Sequence, residues 1–427
     1  MENVQNKLCI IRGDIVFTEN KNKFTVISDG YLISKDGKVV GVYEELPHKF
    51  KYGHVEDYEG KLIIPGFVDL HMHAPQFNLC GLGYDRELLD WLNNYTFKEE
   101  AKFEDLDYSK SVYYDFVNEL YENGITRSVI FGTIHKKSVQ TLMELLYKKG
   151  LSSYVGKVNM DRNAPDYLKE DTLESLELTE DWIKEYCDKY KDVRPIITPR
   201  FVPSCSSKLM KGLGNIAAKY NIPVQSHLDE NESEIELVKK LHKEADNYSS
   251  VYYMNGLFGQ TPTIMAHCVH LNDDEIEMIN KNNVFIAHCP NSNSNLSSGI
   301  APISKLIDKG LNVGLGSDIG AGEKLNMFQN ISDCIKMSKI RALYTNDGSR
   351  NIKLCEAFYL ATKGGGKFFG KVGSFEKGYE LDALVIDDDK FWKFYKGTIE
   401  ERLEKLIYIG NKSNIIKNIN CKTYENK

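Results

Sequence analysis

Four short apolar runs in the second half of the chain each end on a residue able to bind a metal or move a proton. They are Pro-Val-Gln-Ser-His227, Thr-Ile-Met-Ala-His267, Val-Phe-Ile-Ala-His288 and Val-Gly-Leu-Gly-Ser-Asp318. A fifth run, Phe67-Val-Asp-Leu-His-Met-His73, closes with two imidazoles at i and i+2. On an extended strand that spacing puts His71 and His73 on one face and Met72 on the other. Residues so far apart in sequence meet only if their strands share one sheet with a common mouth. A closed parallel barrel has this property, because its strand ends converge on one rim. Further apolar runs at 127–133, 153–160 and 193–201 bring the strands to eight, the number a (β/α)8 barrel requires. Helical patterns separate them. In segment 232–247, Ile235, Val238, Leu241 and Ala245 line one face, which leaves His242 expected at the surface.

Both ends of the chain read differently from this body. Short β segments are expected at 8–18, 24–27, 31–34 and 38–43, the last two flanking the turn pair Asp36-Gly37. Segments 382–386 and 415–424 match them at the far end. We therefore expect an α/β protein: a (β/α)8 TIM-type barrel over 65–376, with a small β-sandwich-like domain built from 1–64 and 377–427.

Composition narrows the function. The chain has 427 residues and a net charge of −7, so nothing attracts nucleic acid or anionic lipid. No apolar stretch is long enough to span a membrane, and the first residues lack a signal-peptide pattern. The nine cysteines form no Cys-x-x-Cys pair. Reduced thiols and a cytoplasmic location are the expectation. That spacing also excludes the zinc site of cytidine-type deaminases, and the absence of His-Glu-x-x-His excludes the common metalloprotease helix.

The strand-end residues form a ligand set for one divalent metal. A catalytic site keeps a position open for water, so His71, His73, His227 and Asp318 are assigned to the metal. His267 is a further ligand or a hydrogen-bond partner of the water, and His288 takes either a direct catalytic role or a supporting position behind the ligands. His270 reads as a loop residue. Glu230, three residues past His227, is the expected proton carrier, since a carboxylate must deliver protons to the leaving group.

Several motifs add a resemblance that covers roughly residues 60–390. Pro65-Gly-Phe-Val-Asp-Leu-His-Met-His73, the single His227 and His267, and Asp318 after a Gly-rich strand resemble the amidohydrolase superfamily. More specific are His73-Ala-Pro-Gln76, Leu89-Asp-Trp-Leu-Asn-Asn-Tyr-Thr-Phe97, Thr198-Pro-Arg-Phe201, Gln225-Ser-His-Leu-Asp-Glu-Asn231 and Ala287-His-Cys-Pro-Asn-Ser-Asn293, which are similar to the guanine deaminase family. The resemblance implies hydrolysis of guanine to xanthine and ammonia, a zinc cofactor with iron as the alternative, and a homodimer. By matching position it assigns Gln76, Arg200 and Phe201 to purine binding, alongside His73, His227, Glu230 and Asp318. It makes Glu230, Asp318 and His267 the catalytic groups. An Arg fork and an amide suit the carbonyl and ring nitrogens of guanine, and Phe201 can stack on its flat face. A related hydrolase acting on a pterin, triazine, cytosine or oxidised guanine is the alternative reading.

Overall fold

The computed structural model describes residues 8–420. Its centre is a (β/α)8 barrel. Phe67–His73, Ile125–Phe131, Ser152–Gly156 and Val193–Pro195 form one parallel run of four strands. Val224–Leu228, Thr263–His267, Phe285–His288 and Asn312–Leu315 form the other. Ile197 joins the two runs: its N–H donates to Pro223 O at 2.9 Å, and its carbonyl accepts from Gln225 N at 2.9 Å. The ring closes where Asp318 N–H donates to His71 O at 2.8 Å. Asp69 reinforces that seam, with Oδ1 accepting from Ser317 N at 2.9 Å and from His71 N at 3.2 Å.

The third and fourth strands are interrupted where single runs were expected. Val158–Asn159 pairs with Thr198–Pro199 as a separate short ladder. Pro195 and Pro199 carry no N–H, so the fourth strand cannot donate at two positions.

A change of side within the first strand explains how both histidines come to face the barrel interior. Val68 and Leu70 pack inside with Val129, Ile196, Ile264, Ala266, Phe285 and Ala287. Phe67 and Met72 instead pack outside, against Phe116, Leu120 and Val139. Simple alternation would turn His71 away from the interior. The register shift between Asp69 and Met72 re-aims it, a common use of a bulge beside a functional site.

The terminal segments form one six-stranded sheet in the order Ile415–Asn420, Asp382–Ile386, Val55–Pro65, Leu8–Asn20, Lys23–Lys35, Lys38–Tyr43. Val39 near one edge and Ile419 near the other share a core with Ile11, Phe17 and Val385, so the sheet wraps around its own interior. The two short strands expected at 24–27 and 31–34 are one bent strand. Asp29, at φ 49°, turns it where Asp14 Oδ1 accepts from Asp29 N at 3.0 Å. The expected residues 421–424 of the last strand lie outside the described residues.

His242 is buried, which corrects its expected surface position. The helix ends early, at Leu241, and His242 pairs through Nε2 with Arg162 at 2.8 Å and through Nδ1 with Glu244 at 3.0 Å. Among the described residues no helix is long and apolar enough to cross a membrane.

Helix Ile399–Ile409 is fastened to the sheet by buried Arg402. Its guanidinium takes both oxygens of Asp388 at 2.7 and 2.9 Å, Asp14 Oδ2 at 2.5 Å and Gly60 O at 2.8 Å. Removing one partner of such a pair strands the other charge without water. We expect Arg402→Ala to lower unfolding free energy by about 3–5 kcal/mol in chemical denaturation. A loss under about 1 kcal/mol would show that the Asp388 carboxylate finds water once the arginine is gone.

Candidate active site

The C-terminal rim of the barrel holds a narrow, largely enclosed cavity. His73, Gln76, Arg200, Phe201, His227, Glu230, His267 and Asp318 all line it, and His71 stands directly behind. The structure therefore brings together every residue that the sequence reading placed in the site.

Four of them converge on one point. His73 Nε2 and His227 Nε2 lie 3.1 Å apart. Asp318 Oδ1 is 3.2 Å from His71 Nε2 and 3.5 Å from His73 Nε2. His227 Nδ1 donates to Arg200 O at 2.6 Å, and a carbonyl only accepts, so the Nε2 lone pair faces inward. Burial pushes His71, His73 and His227 below the ordinary imidazole range, into the neutral form that binds metals. Burial also pushes the Asp318 carboxyl up. His71, His267 and His73 outweigh it and hold the group well below the usual carboxylate range. Inward-facing imidazole nitrogens beside an ionised carboxylate fit one divalent cation of the zinc or iron type.

His267 is turned differently. At φ 71° it leaves the strand in the left-handed region, with Nδ1 on Asn293 Oδ1 at 2.9 Å. Its Nε2 sits 3.4 Å from Glu230 Oε2 and 3.9 Å from Asp318 Oδ2, between the two carboxylates. Glu230 is buried and receives one hydrogen bond from Ser298 Oγ at 3.2 Å. Burial and the nearby Asp318 charge push its carboxyl well above the usual range. A carboxyl held in that state can donate a proton at neutral pH. His270 acts one step back, its Nε2 donating to Ser298 O at 2.7 Å.

His288 does not reach the cavity. It shares strand parity with Val284 and Ile286, which pack against the helices, and neither of its ring nitrogens has a hydrogen-bond partner. Burial pushes it down to about 3.

The opposite wall is apolar. Leu88, Trp91 and Leu92 contribute to it from helical residues 88–92, with Leu296 and Ala321 from later loops. These residues carry no titratable signal, so reasoning from chemistry passed over them. Tyr84 pins the neighbouring loop by donating to Gly320 O at 2.7 Å. Gly320 itself, at φ 117°, lies against Gln76: a Cβ there would come within 2.4 Å of Gln76 Oε1. Behind the wall, Glu100 accepts from Arg200 Nη1 at 2.5 Å and from Gln76 Nε2 at 2.9 Å. The sequence reading also missed Glu100, because a Glu-Glu pair in a helix usually marks a solvated face.

Residues 62–419 match the Amidohydrolase family. The chain is 40% identical to a guanine deaminase of Dictyostelium discoideum, over 84% of this chain and 82% of the relative. Among solved structures, a guanine deaminase from C. acetobutylicum with guanine bound in its active site is 50% identical. It superposes with a TM-score of 0.95 over 97% of this chain and 99% of the other. E. coli guanine deaminase is 33% identical, with a TM-score of 0.88 over 98% of each chain. The chain belongs to the amidohydrolase family.

Proposed function

We propose that this protein is a guanine deaminase, converting guanine and water to xanthine and ammonia. The observation that carries the reading is one cavity lined by Glu230, Asp318, Arg200 and Gln76, with burial and the nearby Asp318 pushing Glu230 toward its protonated form. In this reading His71, His73, His227 and Asp318 hold one divalent ion, with zinc favoured by the imidazole-rich set and iron the alternative. Such an ion supplies Lewis acidity that makes water a nucleophile near neutral pH.

The protein's own groups do the rest. Arg200 and Gln76 hold the oxygenated edge of the purine, and Phe201 with Trp91 and Leu92 excludes water around the ring. Asp318, ionised, accepts the proton from the attacking water through Oδ2. Glu230 gives its proton to N3 as oxygen adds to C2, which neutralises charge building on the ring. His267, held by Asn293, donates to or accepts from the incoming oxygen through Nε2. The proton taken by Asp318 then passes to the amine, ammonia leaves as C2 becomes a carbonyl, and the proton released from the C2 hydroxyl goes to Glu230, which restores both carboxyl groups. Each transfer stays within the short Glu230–His267–Asp318 array. A homodimer working in the cytoplasm completes the proposal.

Glu230→Gln keeps the shape of the site and removes its proton. Its turnover of guanine is expected to fall by about 10²–10⁴-fold, with substrate affinity little changed. Near-normal ammonia release from that variant would remove Glu230 from the reaction. The identity of the substrate is tested by assaying ammonia from guanine, a pterin, a triazine, cytosine and 8-oxoguanine side by side. Guanine is expected to be preferred, and Arg200→Ala is expected to abolish that preference. A wild-type preference for another heterocycle would overturn the assignment.

A further inference from the structure

Glu100 is buried, outside the cavity lining, and makes no contact with the reacting groups, yet each of its oxygens holds a cavity residue. Oε2 accepts from Arg200 Nη1 at 2.5 Å and Oε1 from Gln76 Nε2 at 2.9 Å. Glu100 is 2% exposed, as is Arg200, and Gln76 is 1% exposed. Phe97, three residues earlier on the same helix face, lies against the Arg200 guanidinium at 5.2 Å.

The contact to Gln76 has a chemical consequence. An ionised carboxylate only accepts, so it engages the NH2 end of the amide and not the oxygen. Gln76 Oε1 is thereby turned away, is buried, and has no hydrogen-bond partner within the protein. Gln76 and Arg200 both line the cavity, so its wall carries an arginine donor beside an amide whose orientation Glu100 fixes, with Oε1 lying next to Gly320. We propose that Glu100 is a specificity-determining positioning residue, which sets this donor–acceptor order so that the pocket reads a ring carbonyl next to a ring N–H. Guanine carries that lactam edge at C6=O and N1–H. 2,6-Diaminopurine carries the same leaving amine at C2 but presents the reverse, an amino donor at C6 and an acceptor at N1. The wild-type order leaves Gln76 Oε1 facing a lone pair and Arg200 facing an N–H, which a desolvated site penalises heavily. This inference rests on the guanine deaminase reading.

Glu100→Gln removes the obligate acceptor and lets the Gln76 amide take either orientation. The experiment measures ammonia release from guanine and from 2,6-diaminopurine, with thermal unfolding of each protein recorded in parallel. If the wild type releases no ammonia from guanine, the functional reading itself fails and that failure is visible before any variant is made. With an active wild type, Glu100→Gln is expected to lower kcat/KM for guanine by about 10²-fold. The guanine-to-diaminopurine ratio should fall at least about tenfold, because only one of the two substrates suffers from the freed amide. A purely structural Glu100 would depress both substrates together. A folded variant whose ratio is unchanged, or which shows no diaminopurine turnover at all, overturns the proposal. Should Glu100→Gln fail to fold, Glu100→Asp keeps the charge but is too short to reach both partners, and the same fall in ratio is expected. Loss of folding in both variants would assign Glu100 to stability and overturn the proposal equally.

Discussion

The seam between the first and eighth strands is the constraint on which the site depends. Asp69 and Ser317 are separated by 248 residues, yet the Asp69 carboxylate ties the backbone of both strands at that point. Only a closed ring puts His71 beside Asp318. With that closure, two imidazole-bearing strand positions and a carboxylate face one buried point. Their burial keeps the imidazoles in the neutral form that can bind a cation. Open the seam and each group would return to water and to its ordinary titration.

Arg200 links this centre to substrate recognition. Its carbonyl fixes the His227 tautomer, and its side chain borders the cavity under the hold of Phe97 and Glu100. One residue thus orients a nitrogen at the convergent point with its backbone and contributes the donor wall with its side chain. Displacing it would disturb both. Buried polar groups in such a cluster are costly unless each is paired, which accounts for the density of hydrogen bonds behind the cavity. Gln76 Oε1 is an exception: it lies buried against Gly320 without a hydrogen-bond partner in the protein.

Much of this was legible in the sequence because barrel strands carry chemistry at their C-terminal ends. Apolar runs ending on His227, His267 and Asp318 needed no further information to be grouped. What the sequence left undetermined was direction. His267 and His288 end similar runs, Met-Ala-His and Ile-Ala-His, although the first reads as a ligand or partner of the bound water and the second as either catalytic or supporting. In the structure a left-handed backbone turns His267 into the cavity, whereas ordinary alternation sends His288 out. Likewise the bulge that re-aims His71 leaves no compositional trace. Glu100 was hidden for another reason: its partners, Gln76 and Arg200, lie in distant segments, and only folding reveals that the helix face bearing it is buried. In the sequence Trp91 and Leu92 stand only within a family motif, and their place on the apolar wall shows once the cavity is seen.

The most direct test of the account is metal analysis of the purified protein, combined with X-ray absorption at the metal edge. One divalent ion per chain is expected, surrounded only by nitrogen and oxygen at about 2.0–2.2 Å, with stoichiometry lost in a His71→Ala, His227→Ala double variant. A sulfur neighbour at about 2.3 Å would instead place the ion among His71, His267 and Cys289, the other clustered donors. That result, or full activity without bound metal, would contradict the convergence on His71, His73, His227 and Asp318.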